Sequence, residues 1–218
     1  MPPDREDAQA ERMTDATYWD TRYADSAAVW SGNANTALVH EVADLTPGSA
    51  LDLGCGEGGD AIWLAARGWT VTAVDVSAVA LAKAAAHAAD AGVTIDFQQH
   101  DLGASFPAGR YDLVSAQFLY PRGDVPREQI LLAATAAVAP GGILLIEGHQ
   151  DFGPYAEQHR SHGDLRFPEP AEVVSGLRLA DGQWQVLRCE THDRIQNGPD
   201  GTPAHRTDST IKVRRLPR

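Results

Sequence analysis

Lysine is nearly missing from this chain. Of 18 basic residues only Lys83 and Lys212 are lysines, against 30 acidic residues, and the formal net charge is −12. A field of that sign repels nucleic acid and anionic membrane, so neither is expected as a partner. The one basic cluster, Lys212, Arg214, Arg215 and Arg218, reads as a solvated tail. Cysteine is equally scarce: Cys55 and Cys189 share no metal-ligand spacing, and a disulfide framework is excluded. Two reduced thiols suit a reducing compartment. No apolar run approaches the length of a membrane span. The opening MPPDREDAQAER has no apolar stretch of the kind a secretory signal needs. A cytoplasmic protein acting on a small molecule is expected, and a homodimer is compatible with its size.

What is present is an alternation. Short apolar runs at Ala50–Leu53, Thr70–Val76, Val93–Gln99, Tyr111–Phe118 and Ile143–Glu147 are separated by helical stretches at 61–67, 78–91 and 126–138. Such a rhythm predicts a parallel sheet with right-handed crossovers, buried on both faces. Upstream, Tyr18, Trp19, Arg22 and Tyr23 fall on one helix face. Asn33 or Asn35 is placed to cap a helix bearing Leu38, Val42 and Leu45, as Ser77 is for 78–91. Downstream, a helix over Glu169–Leu177 precedes two polar-alternating runs, Trp184–Ile195 and His205–Arg214. They flank NGPDGTP and read as an antiparallel hairpin. The fold class is therefore α/β: Rossmann-like, doubly wound, with a seven-stranded, mostly parallel sheet ending in that hairpin. Residues 1–12 read as disordered. Residues 13–218 form one domain: a helical cap (13–47), a core (48–149), an insert (150–170), and a C-terminal helix and hairpin (171–218).

Residues 51–60, LDLGCGEGGD, concentrate backbone freedom where the first strand ends. Glycines there let a ligand approach the main chain. Gly54, Gly56 and Gly59 satisfy G-x-G-x-x-G and Asp75 lies about twenty residues on, which by itself fits an NAD(P)-binding oxidoreductase. Other features point elsewhere. Asp52 and Glu57 set negative charge beside the turn, which repels a diphosphate and attracts a sulfonium or ammonium. Asp101, in HDL after the third strand, is placed to accept from an adenine amine. After the hairpin no chain remains for a dehydrogenase's substrate domain.

Taken together, LDLGCGEGGD, VTAVDVS, QQHDL, YDLVSAQF and APGGILLIE, spanning roughly residues 50–148, resemble a class I S-adenosylmethionine-dependent methyltransferase. The upstream run WDTRYADSAAVWSGNANTALV is similar to the bacterial tellurite-resistance and thiopurine methyltransferase-like branch. The resemblance implies S-adenosylmethionine as cofactor and S-adenosylhomocysteine as product. Asp52, Gly54, Cys55 and Gly56 would line the methionine end. Asp75 would take the ribose hydroxyls, with Val76 and Ser77 beside the adenosine. Asp101 and Leu102 would meet the adenine, and Gln117 and Phe118 would sit by the reacting methyl. Arg22 would pair with the cofactor carboxylate and Trp30 would shield the sulfonium.

His149 follows the fifth strand directly, and ligands in such sheets bind outside the carboxyl ends of the strands. Its imidazole is the candidate general base, with a surface position satisfied by Asp151 as the plain alternative. Tyr120, Phe118, Phe152, Tyr155, His159 and His162 are candidate walls for the substrate. His159 and His162 have spacing for a metal but no further evident ligand, so no metal is expected. The functional expectation is O-methylation of a sugar or other polar hydroxyl. A sulfur, selenium or tellurium acceptor is the alternative.

Overall fold

The structure, a computed structural model, describes residues 15–121, 127–155, 166–197 and 201–217. In chain order these are α1 (Asp15–Ala24), α2 (Thr36–Val42), β1 (Ser49–Leu53), α3 (Gly59–Ala65), β2 (Thr70–Asp75), α4 (Ala78–Asp90), β3 (Asp96–Gln99), β4 (Tyr111–Gln117), α5 (Arg127–Ala137), β5 (Val138–His149), a 3₁₀ turn (Gly153–Tyr155), α6 (Pro170–Gly176), β6 (Trp184–Asn197) and β7 (Pro203–Arg215). The strands form one seven-stranded sheet in the order β3-β2-β1-β4-β5-β7-β6. The first five strands run parallel. The long β6–β7 hairpin joins antiparallel to β5 through β7.

Apolar runs produce this sheet because both of its faces are covered. One face packs Leu51, Val114, Leu144 and Ile146 under Leu131, Ala134, Val173 and Leu177. The other packs Ala50, Leu113, Ile143 and Leu145 under Leu38, Val42 and Leu64. Ser77 caps α4 as expected, its hydroxyl accepting from the Ala80 amide at 3.0 Å. Asn35 stands at the cap position of α2 but makes no capping bond. Its amide group donates to Asp60 instead, at 2.7 Å.

Two strands, β5 and β3, differ most from expectation. β5 extends from Val138 to His149 and passes through Gly141-Gly142. A Cβ at Gly142 would stand 2.9 Å from the Tyr111 carbonyl, so glycine permits the close approach at the bulge where the register against β4 shifts. β5 also runs two residues beyond Glu147, because β7 pairs with it as far as His149↔Asp208. β3 starts only at Asp96, where its register against Thr72 begins.

Strand order reverses between β1 and β4, the switch point at which open sheets of this kind bind ligands. Gly54, Asp75, Gln117 and His149 all lie at or just beyond the carboxyl ends of their strands.

Candidate active site

A cleft of about 750 Å³ opens along that carboxyl edge. It runs from the glycine turn to the hairpin. Gly54 and Gly56 have φ of +72° and +53°, in the left-handed region that favours glycine. The N–H of Gly54 continues the sheet by donating to the Val74 carbonyl at 2.8 Å. That of Gly56 donates to Asp75 Oδ2 at 2.8 Å, and Ser77 N–H donates to Asp75 Oδ1 at 2.9 Å. The buried Asp75 carboxylate therefore ties the turn to the end of β2. The residue also borders the cleft, and a carboxylate can accept more bonds than these two. Burial pushes its pKa up, against the pull of these backbone bonds.

The N-terminal segment folds over the same turn. Glu57 accepts from the amides of Val29 and Trp30, both at 3.0 Å, and pairs with Lys83 at 3.1 Å. Trp30 Nε1 donates to the Tyr23 hydroxyl at 2.9 Å. A Cβ at Gly56 would stand 2.8 Å from that hydroxyl. Arg22 lies 5.6 Å from the Trp30 ring, and both residues border the cleft. Asp60 takes the Asn35 amide at 2.6 Å.

The expected acidic contacts at the turn need correcting. Asp52 is only 2% exposed and lies outside the cleft lining. Burial, with Asp60 and Asp75 nearby, pushes its carboxyl well up. Ser77 is fully buried as the α4 cap, donates to Asp20 at 2.6 Å, and does not line the cleft. Glu57 is spent on Lys83 and the backbone of the strap. The carboxylates that border the cleft at this end are those of Asp15, Glu57, Asp60, Asp75 and Asp101. Cys55, Val76, Asp101, Leu102 and Gln117 line the cleft as the sequence suggested.

At the opposite end, His149 is clasped between rings. Phe118 stacks at 4.4 Å and Tyr120 at 5.5 Å, centroid to centroid. Its backbone N–H donates to the Tyr120 hydroxyl at 2.5 Å. Phe118 holds φ +52°, unusual for a bulky residue and typical of a position that its surroundings impose. His149 Nδ1 lies 2.8 Å from Asp208 Oδ1. Arg194 Nε donates to the other Asp208 oxygen at 2.6 Å. Burial would raise Asp208, but the hydrogen bonds from His149 and Arg194 outweigh it and hold the carboxyl below its usual range. A carboxylate facing Nδ1 fixes the proton there and leaves Nε2 as the free base. Burial, with Arg206 and Arg194, lowers the His149 pKa despite Asp208, so the ring is neutral at pH 7.

Asp151, the alternative partner for His149, accepts from the Thr207 amide at 3.1 Å. Phe152 packs on Phe167 at 5.0 Å and does not line the cleft. His159, His162 and the side chain of Tyr155 lie outside the described residues. Among the described residues no group of three or more His, Cys, Asp or Glu could hold a metal. Asp208, Arg194, Gln196 and Arg206 escaped the sequence reading. Their one signal is the alternation of polar residues along both hairpin strands, which places a polar row on the face shared with His149.

Residues 50–142 match the methyltransferase-domain family. Over that segment the chain is similar to methyltransferase domains, in keeping with the class I S-adenosylmethionine-dependent resemblance of its motifs. This match favours the methyltransferase reading of the glycine turn over the oxidoreductase one. Over 169 residues the chain is 32% identical to hemagglutinin 1 of Eikenella corrodens, covering 76% of this chain and 53% of that protein. Over 98 residues it is 39% identical to a ubiquinone biosynthesis O-methyltransferase of Methylobacterium nodulans, covering 44% and 39%. The chain thus spans about half the length, or less, of these curated relatives. The methyltransferase fold is shared with the N-methyltransferase NodS of Bradyrhizobium japonicum, solved with S-adenosylhomocysteine (TM-score 0.67, 16% identity, 93% of this chain and 99% of that one). It is shared also with TehB of Haemophilus influenzae (TM-score 0.64, 18% identity, 93% and 67%).

The described residues fit such a cofactor. The Asp75 carboxylate suits a ribose diol. Gln117 Oε1 is buried without a hydrogen-bond donor among the described residues, and Gln117 lines the cleft, so it can accept from an ammonium. A diphosphate would face Asp60, Asp75 and Asp101 instead.

Proposed function

We propose that the protein methylates a hydroxyl group of a small molecule, using S-adenosylmethionine, with His149 as general base. The observation that carries this reading is the His149–Asp208 pair, set in the same cleft as the glycine turn. When bound, S-adenosylmethionine supplies a methyl group on a sulfonium that is already a good leaving group. The protein's tasks are then alignment, exclusion of water and removal of one proton. Asp75, Gln117 and Asp101 hold the cofactor, and the strap from Val29 to Asn35 borders it. Phe118 and Tyr120 fix the imidazole plane. Asp208 fixes its tautomer, so Nε2 is free to take the proton of an alcohol at neutral pH.

The named O-methyltransferase among the curated relatives supports an oxygen acceptor, and the dyad gives it a reason. A thiol or tellurium-type nucleophile ionises easily and needs no such base. Two free cysteines, and no helix among the described residues long and apolar enough to cross a membrane, are consistent with the proposed cytoplasmic setting. His149→Ala is expected to lower kcat for an alcohol acceptor by about a hundredfold or more, with affinity for S-adenosylhomocysteine kept. Unchanged turnover in that variant would remove His149 from the chemistry and favour the softer nucleophile.

A further inference from the structure

The hairpin end of the cleft is rich in hydrogen-bond donors. Arg194 and Arg206 stand directly opposite each other across β6 and β7. Like charges in that arrangement destabilise a strand pair, so the pairing asks for a compensating anion. Asp208 answers only in part. One of its oxygens holds His149 and the other holds Arg194, while Arg206 Nε stays 3.8 Å away. That Nε is buried and makes no hydrogen bond among the described residues, and the same is true of Gln196 Nε2. The outer nitrogen of Arg206 donates to the Asp151 carbonyl at 3.1 Å. The Asp151 carboxylate adds its charge to Arg206 but does not line the cleft. Arg194, Gln196 and Arg206 all line it, with the Arg194 guanidinium 5.4 Å from the Phe118 ring. Two guanidiniums and two buried N–H groups without a partner among the described residues, sharing one pocket, call for an acceptor that carries negative charge.

We infer that this end of the cleft is an anion subsite, and that the methyl acceptor carries an oxyanionic group, carboxylate or phosphate, held by Arg194, Gln196 and Arg206. The inference rests on the cleft being a methyl-transfer site and narrows the acceptor for it. The cleft is then bipolar: carboxylates gather at the glycine turn and guanidiniums at the hairpin. A neutral sugar could accept from Arg206 Nε and Gln196 Nε2 but would leave the charge of the two facing guanidiniums uncompensated.

The test is calorimetry on the full chain loaded with S-adenosylhomocysteine, titrated with benzoate, benzamide and inorganic phosphate. Benzoate should bind at least about tenfold more tightly than its neutral amide, as expected for hydrogen bonds to a charged group. Arg206→Gln and Gln196→Leu should each bring that ratio close to one, with the affinity for S-adenosylhomocysteine unchanged. Phosphate binding that is lost in the same variants would mark a phosphorylated acceptor, and benzoate binding without phosphate binding a carboxylic one. Equal affinity for acid and amide, no binding of any probe, or a preference that survives both variants would overturn the subsite. Absence of S-adenosylhomocysteine binding in the wild-type chain would instead overturn the methyl-transfer reading beneath it.

Discussion

His149 has little freedom left. Two rings cover its faces, Tyr120 holds its main chain, and Asp208 holds Nδ1. Nε2 is the nitrogen left for the proposed proton transfer, and burial lowers its pKa below the usual histidine value. On the proposed reading, Asp208 acts through His149, as a positioning residue. Replacing it with Asn would remove the charge that favours the imidazolium, and with it the fixed tautomer. Asp208→Asn should therefore lower kcat about a hundredfold. It should also move the acidic limb of the pH–rate profile further down, because Asp208 raises the His149 pKa. In the wild type that limb should lie below the ordinary histidine value of 6.5, with activity rising through it as pH rises. A variant that loses rate with no movement of the limb would show Asp208 to be structural only.

Among elements, the strap after α1 and the hairpin are each held by one buried acid, Glu57 and Glu147. The strap is tied down by one buried carboxylate, Glu57, whose countercharge is Lys83. Lys83 also donates to the Ser26 carbonyl at 2.6 Å. Lys83→Met leaves Glu57 buried and unpaired. A loss of about 2 kcal/mol in thermal unfolding is expected, less than for a fully buried pair because Lys83 is partly solvated. Weaker binding of S-adenosylhomocysteine should accompany it.

In the hairpin, Glu147 on β5 reaches across β7. It accepts from Thr210 at 2.7 Å and pairs with His192 of β6 at 2.6 Å. Burial lifts its pKa from the ordinary 4.5 to about 7, despite these bonds. A raised carboxyl pKa means the folded chain holds the proton more tightly than the unfolded one. Its contribution to stability is therefore present at low pH and is lost as pH rises from about 4.5 to about 7. Glu147→Gln should flatten the fall in melting temperature over that window. An unaltered slope would show that Glu147 does not titrate there.

Legibility followed the same division. The parallel core could be read because strands buried on both faces leave unbroken apolar runs. Ser77 could be read because its own helix determines its role. The extent of β5 could not, since Gly141-Gly142 signals a break and only the pairing partners override it. Asp208 stands 59 residues from His149 in the chain. Nothing local ties the two, and their meeting is fixed by hairpin register. Glu57 and Asp52 adjoin the turn in sequence, but that one is tied into an ion pair and the other is buried in an interior strand is a property of packing.

At the scale of the whole molecule, the net charge of −12 is not spread evenly over the cleft. Carboxylates border the glycine turn, and Arg194 and Arg206 border the hairpin. A sulfonium-bearing nucleoside is matched to the first end, whereas a dinucleotide would set its diphosphate against Asp75 and Asp60. The measurement that tests this most directly is isothermal titration at neutral pH with S-adenosylmethionine, S-adenosylhomocysteine and NADH in turn. Saturable heat with the two sulfur nucleosides and none with NADH is the predicted result. Binding of NADH, or silence with both sulfur nucleosides, would contradict it.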